Sequence, residues 1–504
     1  AAVKLTCDLL RAEVTTLVFG QSRTGVEVML KYLREAMQSE PLEPDAVMGY
    51  RGGYLPAERR QIEQRLREGK IKCVVATNAL ELGIDIGSLD AVVCAGYPGS
   101  LAALWQRFGR AGRRQSGSLA ILVTSSAPLD QFFALSPSRL VDERVESARI
   151  DPNNTEILVQ HVKCAAFELP FHSEDGFGLI KSQALEDILK FLTHNEVLHE
   201  AAKGQGRVYH WASEAYPASH VSLRSLGWDN FVIIDVEPDR VLAEMDWRSA
   251  HTMLHEQAIY QHDGNQYQVE RLDFENRKAY VRRIKPDYFT TAQTHTNVTV
   301  TQVDEDQKVL LESGVRIEWG LGEISVVDKV VGFKKIRFQT HENVGFGEVN
   351  LPVMQMHTTA CWVTLPESFI ISLPWQRPVV VDALKGIVKA MHLFSVSGLM
   401  IATRDLGYVL GEHREGGEIS TGHSPGFDPT LFLYDTVPGG IGLVQRLYDS
   451  RSRLLKAASS VIANCKCSAG CPACVGPILG DGEISQSTNR RMVALTLLER
   501  LGVM

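Results

Sequence analysis

Four cysteines crowd one short stretch of the chain, as Cys465-x-Cys467-x3-Cys471-x2-Cys474. Thiolates at that spacing can close a tetrahedral shell around zinc, with Gly470 and Pro472 bending the backbone between them. A shell filled by four thiolates leaves no position for water, so such a centre has a structural role. Two disulfides or an iron–sulfur cluster would use the same residues. The other five cysteines, Cys7, Cys73, Cys94, Cys164 and Cys361, stand mostly among apolar neighbours and read as small core residues. An odd total with no secretory pattern in AAVKLTCDLL points to a reducing, cytoplasmic compartment, where a tight cluster holds a metal.

A second group is Gln106-Arg107-Phe108-Gly109-Arg110-Ala111-Gly112-Arg113. Arg110 and Arg113 lie three apart, on one side of a helical turn, and the flanking glycines let backbone approach closely. That arrangement suits clamping the phosphates of a nucleotide held across an interface. A guanidinium on a transferring γ-phosphoryl group stabilises transition-state charge and is worth ~10³–10⁵ in rate. A basic, solvated helix end is the plainer alternative.

Three upstream segments bear on the choice. In 76–87 Thr77 follows a strand, where its hydroxyl and N–H can meet a phosphate, and Asp85 sits between Gly83 and Gly87, placed to bond a ribose hydroxyl. Phe19-Gly20-Gln21-Ser22-Arg23 is a strand end whose Ser22 either caps the next helix or contacts a backbone phosphate. Tyr50-Arg51-Gly52-Gly53 offers a further cation and flexible backbone.

Taken in this order, the segments resemble the second RecA-like domain of superfamily two helicases: 19–23 is similar to motif IV, 76–87 to motif V and 106–113 to motif VI. The resemblance implies arginine fingers at Arg110 and Arg113 with Gln106 beside them, and nucleotide sensing at Gly83 and Asp85. It implies nucleic-acid phosphate contacts at Ser22, Arg23, Arg51, Thr77 and Asn78. Thr358-Thr359-Ala360-Cys361-Trp362, Tyr434-Asp435-Thr436-Val437-Pro438-Gly439-Gly440-Ile441-Gly442 and the four cysteines resemble the C-terminal MZB (DUF1998) domain of MrfA/YprA-type DEAD/DEAH-box helicases. That family implies a winged helix, a zinc site, ATP with Mg, single-stranded or forked DNA, 3′ to 5′ translocation, a role in DNA repair and a repair nuclease as candidate partner.

The departures matter equally. No G-x-x-x-x-G-K-[ST] occurs in the 504 residues, and no DExH-type motif follows a strand, so the chain has no loop to cradle the β- and γ-phosphates. The expectation is the C-terminal portion of a longer helicase, inactive toward ATP alone, with those two motifs on another lobe. Two other readings are a non-catalytic, zinc-stabilised DNA-binding or recruitment module and an RNA helicase.

The surrounding elements fit a motor with appendages. A chain of 504 residues holds roughly three domains at about 150 residues each. With 44% hydrophobic and 22% charged residues it is globular, and no apolar run approaches the ~18 residues of a membrane span. Lys and Arg total 52 against 60 Asp and Glu, a net charge of −8, which excludes attachment to nucleic acid by bulk charge. Residues 1–140 alternate helix and strand signals and predict an α/β RecA-like domain with a parallel sheet. Residues 150–229 predict a mainly helical winged-helix module, 230–354 a β-rich domain with a hairpin turn at Asp263-Gly264, and 355–504 the α+β zinc-binding domain. Lys466, Arg490 and Arg491 read as phosphate contacts or as solvated charge. His251 and His255, four apart without a third ligand, read as helix-surface histidines; of Trp211, Trp228, Trp247, Trp319, Trp362 and Trp375 most read as core, with stacking on a base as the alternative.

Overall fold

The computed structural model describes all residues except 42, 44, 83–88, 113–116, 147–153, 179, 181, 204–205, 222–229, 402, 413–427, 477–488 and 504. Its first unit is a five-stranded, wholly parallel sheet of β1 (Thr16–Phe19), β2 (Val47–Tyr50), β3 (Cys73–Ala76), β4 (Ala91–Ala95) and β5 (Leu119–Val123), in the order β2-β3-β1-β4-β5. The first four strands are almost wholly buried, as apolar runs covered on both faces must be. The covering helices include α1 (Ala2–Arg11), α2 (Arg23–Ala36), α3 (Pro56–Arg67) and α4 (Leu101–Phe108). Ser22 caps α2 by accepting from the Gly25 amide at 3.0 Å, and Val26, Leu30 and Leu33 carry that helix onto the sheet. Ser100 caps α4 in the same way, from the Ala103 amide.

The winged-helix module packs helices Thr155–Glu168 and Ser182–His194 on a small antiparallel sheet of Phe171–His172, Leu198–Lys203 and Gly206–Trp211. Beyond it stands a five-stranded sheet built from residues 230–284. Its hairpin pairs His262 with Asn265 across Asp263-Gly264, both at positive φ (49° and 72°), the mirror-image turn that this dipeptide favours.

The boundary expected at residue 354 does not separate two folded units. Strands Tyr288–Leu310 and Arg316–Arg337 form a long antiparallel ribbon that continues sideways into Met354–Thr364, Pro429–Asp435 and Leu406–Glu412. Half of the expected β-rich domain therefore belongs to the sheet of the cysteine-bearing domain. Helix Arg377–Leu399 covers that sheet through Val380, Leu384, Ile387 and Met391, and packs on helices Arg451–Ala463 and Arg490–Arg500. No described helix is long and apolar enough to cross a membrane.

Two further sequence readings change. His251 and His255 are fully buried, not on a helix surface: His251 lies against Trp247 and Phe274, and His255 stacks on Phe333. Burial lowers the pKa of both, so the rings serve as neutral core groups. Trp319 and Trp362 are core as expected, whereas Trp211 is half-buried against Phe167, and Trp228 lies outside the described residues.

Candidate nucleotide, nucleic-acid and metal sites

Strand β3 ends in a single 3-10 turn, Asn78–Leu80, which presents Glu81 to the C-terminal end of α4. Arg107, buried in the last turn of α4, meets the Glu81 carboxylate at 2.9 Å and lies over the Phe19 ring. Gly109 closes the helix, and the chain turns so that Arg110 donates from Nε and Nη2 to the Glu81 carbonyl at 3.1 and 2.8 Å. Arg110 is half-buried and Gln106 exposed. Arg113, Gly83 and Asp85 lie outside the described residues. The segments resembling motifs V and VI are thus joined through one glutamate, with a carboxylate and a carbonyl each holding one guanidinium.

The C-terminal ends of β1, β4 and β5 open on a cleft of about 1780 Å³. Gln21 and Ser22 line the sheet side, Ser249, Thr252 and Thr290 the opposite wall, and Lys4, Arg23 and Arg404 supply positive charge. Ser22 is exposed; its oxygen accepts from the Gly25 amide, which leaves its O–H to donate outward. Arg23 bridges the cleft to Asp246 at 2.9 Å. Burial works to raise the Asp246 pKa, but the Ser249 amide and Arg23 outweigh it and hold the carboxyl below its ordinary value. Glu27 and Glu35 also line the cleft and Asp246 pairs Arg23, so the hydroxyls, Lys4, Arg404 and the α2 N-terminus are what favour a phosphate-bearing ligand. Thr77, with 9% of its surface exposed, and Asn78 do not line this cleft; the Thr77 amide donates to the Tyr50 carbonyl.

Arg51 corrects its expected role. It has no exposed surface, so it cannot reach a phosphate from this position. Its Nε meets Glu27 at 2.7 Å, and its Nη2 donates to the Gln261 carbonyl at 2.7 Å and the Tyr260 hydroxyl at 3.2 Å. Burial alone would raise the Glu27 pKa; Arg51, His262 and the Gly264 amide outweigh it and keep the carboxylate ionised.

The cysteines do converge. All four Sγ atoms lie within 4.8 Å of one another, with Cys465–Cys471 and Cys467–Cys474 at 3.6 Å and Cys471–Cys474 at 3.7 Å. A tetrahedral zinc with sulfur at about 2.3 Å requires sulfur–sulfur separations of about 3.8 Å. The spacing fits zinc and is far from the ~2.05 Å of a disulfide. The Cys471 amide donates to Cys474 Sγ at 3.3 Å, as metal-bound thiolates commonly accept. Gly470, at φ 107°, passes so close to Val475 that a Cβ would sit 2.8 Å from its side chain. Arg490 and Arg491 are neither phosphate contacts nor solvated charge. Arg491 donates to the carbonyls of Ile462, Ala463 and Cys467, while Arg490 pairs with Asp382 and donates to the carbonyls of Val475 and Gly476.

Residues 1–115 match the helicase conserved C-terminal domain, 150–226 the winged-helix domain of ATP-dependent helicase HRQ1, and 390–475 the MrfA Zn-binding domain. YprA of Bacillus subtilis (strain 168), called an uncharacterized ATP-dependent helicase, is 41% identical over 476 residues, which cover 94% of this chain and 60% of YprA. The crystal structure of DUF1998 helicase MrfA bound to DNA superposes with a TM-score of 0.69 at 38% identity, over 99% of this chain and 64% of that one. This chain is homologous to the YprA and MrfA helicases. ATP-dependent helicase HRQ1 of Saccharomyces cerevisiae is 30% identical over 489 residues, 94% of this chain and 44% of HRQ1. The chain therefore spans about 60% of YprA and under half of HRQ1. MrfA bound to DNA and AMPPNP superposes with a TM-score of 0.63 at 39% identity, over 99% of this chain and 62% of that one.

Relative to this MrfA-like architecture, sequence reasoning missed Glu81, Glu27 and Asn154. Glu81 lies within the segment resembling motif V, but a lone carboxylate there gives no sign of the two arginines it meets in the fold. Asn154 caps helix Thr155–Glu168 and also donates through Nδ2 to the carbonyls of Pro438 and Gly440, at 3.1 and 2.5 Å. The glycine-containing loop 438–440 thus joins the winged helix to the cysteine-bearing domain. Asp435 holds the loop from within, accepting from the Ile441 amide at 2.7 Å.

Proposed function

We propose that this chain forms the second motor lobe, winged helix and zinc-bearing domain of an ATP-dependent DNA helicase whose first RecA-like lobe carries the P-loop and DExH motifs. The observation that carries this reading is the shared clamp on Glu81, which fixes Arg110 at the end of α4 beside the segment resembling motif V. Bound ATP with Mg would supply a γ-phosphoryl group activated for transfer to water. Arg110 and Arg113 act as the fingers that neutralise its charge, with Gln106 beside them, and Gly83 and Asp85 contact the nucleotide.

Ser22 and Arg23 hold strand phosphates in the cleft, and for Thr77 and Asn78 a phosphate contact rests on the resemblance alone. The DNA-bound MrfA structures support DNA as the substrate, and 3′ to 5′ movement and DNA repair rest on the resemblance alone. Nothing among the described residues argues for a nuclease partner, and none is proposed. The 504 residues by themselves hydrolyse no ATP, because the phosphate cradle stands on the other lobe.

The test uses the full-length protein. Arg110→Ala and Arg113→Ala are each expected to cut DNA-stimulated ATP turnover by about 10³-fold. Affinity for single-stranded DNA should stay within a fewfold of the parent. Near-normal turnover in both variants overturns the finger assignment, and equal stimulation by RNA overturns the choice of DNA.

A further inference from the structure

The loop Arg51–Gly53 meets both edge strands of the five-stranded sheet formed by 230–284. On one edge, Arg51 donates to Tyr260 and Gln261; on the other, the Glu244 amide donates to the Gly53 carbonyl at 3.0 Å. A Cβ at Gly53, whose φ is 102°, would stand 2.8 Å from the Glu244 carbonyl oxygen, so only glycine allows this approach. The Arg51 guanidinium is flanked by the Tyr54 and Tyr260 rings, at 5.0 and 5.6 Å.

Glu27, on α2, completes the joint. Its Oε1 takes Arg51 and the Tyr54 hydroxyl, and its Oε2 takes the Gly264 amide of the hairpin turn at 2.9 Å. Arg34, two turns along α2, holds the same turn through the Asp263 carboxylate at 2.7 Å. Arg23 at the other end of α2 holds Asp246. One helix of the motor lobe therefore grips the β-sheet domain at three levels, and the charges at its centre are fully desolvated.

Buried, fully bonded ion pairs give rigidity and register more readily than net stability. We propose that Arg51 is a positioning residue that locks the sheet domain 230–284 to the motor lobe, so that ATP-driven movement of the lobe carries this domain, and the cleft wall at Ser249 and Thr252, along the DNA. The inference rests on the helicase reading above. In the unlocked protein the lobe can still close on ATP, but the cleft wall no longer follows.

The experiment compares full-length parent protein with Arg51→Met/Glu27→Met, which replaces the pair by apolar groups of similar length. DNA-stimulated ATP turnover is expected to stay within about threefold, while base pairs separated per ATP fall at least tenfold. Unchanged coupling overturns the proposal. So does a parallel fall of turnover and unwinding with a lowered melting temperature, which would mark Arg51 as merely structural. If the double variant does not fold, Arg34→Ala at the half-exposed rim replaces it, with coupling expected to fall about threefold at unchanged turnover and no change overturning the proposal. Failure of the helicase reading itself looks different: the parent protein would then show no DNA-stimulated turnover or unwinding at all.

Discussion

Arg107 and Arg110 share one residue, Glu81: the first takes its carboxylate at 2.9 Å and the second its backbone carbonyl at 2.8 and 3.1 Å. The carboxylate does not touch Arg110, yet it fixes the backbone on which Arg110 rests. Glu81→Gln keeps the size and removes the charge, leaving the Arg107 cation buried beside a neutral amide. If Arg110 is a finger as proposed, its displacement by about 1 Å loses on the order of 10²-fold in rate. DNA-stimulated ATP turnover of the full-length variant is expected to fall by that factor with single-strand affinity unchanged, as read by phosphate release and fluorescence anisotropy. Retained turnover would remove Glu81 from the motor.

Legibility in the sequence follows the range of the interactions concerned. The Asp263-Gly264 hairpin is readable because a two-residue turn dictates its own φ values, and the four cysteines because their ligand geometry closes within ten residues. Buried strands such as β1 and β4 announce themselves as apolar runs. Arg51 was misread because its partners Tyr260 and Gln261 lie more than 200 residues away, and an arginine beside two glycines looks solvent-facing until they arrive. The boundary at 354 was misplaced for a related reason. A strand of 22 residues serves both the ribbon and the central sheet, and periodicity along one strand carries no mark of which neighbour it pairs with.

The cysteine centre should act as a folding element. Arg491 fastens the knuckle to the end of helix Arg451–Ala463 through three carbonyls, so loss of metal frees both segments together. The purified chain is expected to carry one zinc. Chelation or Cys471→Ser should remove up to about 10 kcal/mol of local stability. Limited proteolysis would then cut between residues 463 and 476 while 1–140 stays intact. A metal-free preparation with unchanged protection there would contradict this.

Asp435 should give the zinc-bearing domain an unusual pH dependence. Burial pushes its carboxyl up from 3.8 to about 6, against the opposing donation from the Ile441 and Leu443 amides. The folded state thus binds this proton more tightly than the unfolded chain. Its contribution to stability is greatest below about pH 4, falls as pH rises toward 6, and is flat above, a change on the order of 3 kcal/mol. Asp435→Asn cannot titrate. The melting temperature of the variant relative to the parent should therefore climb between pH 4 and 6, and a constant difference would reject the assignment.

The joint at Asn154 can be taken apart one function at a time. Its Oδ1 caps helix Thr155–Glu168 by accepting from the Ile157 amide, whereas its Nδ2 donates across to the Pro438 and Gly440 carbonyls. Asn154→Asp keeps an acceptor at the cap, where a negative charge also suits the helix dipole, but it abolishes both donations. Asn154→Ala loses both, and the cap alone is worth about 0.5–2 kcal/mol. Hydrogen exchange should accordingly speed up at 436–442 in both variants, and in the first turns of helix Thr155–Glu168 only in Asn154→Ala. Gly440 sets the limit of what the loop tolerates: at φ 77° a Cβ there would stand 2.3 Å from Thr359 Oγ1. Gly440→Ala should therefore disturb the loop more than either change at Asn154, and equal exchange in all three variants would show that the loop is held by something other than these contacts.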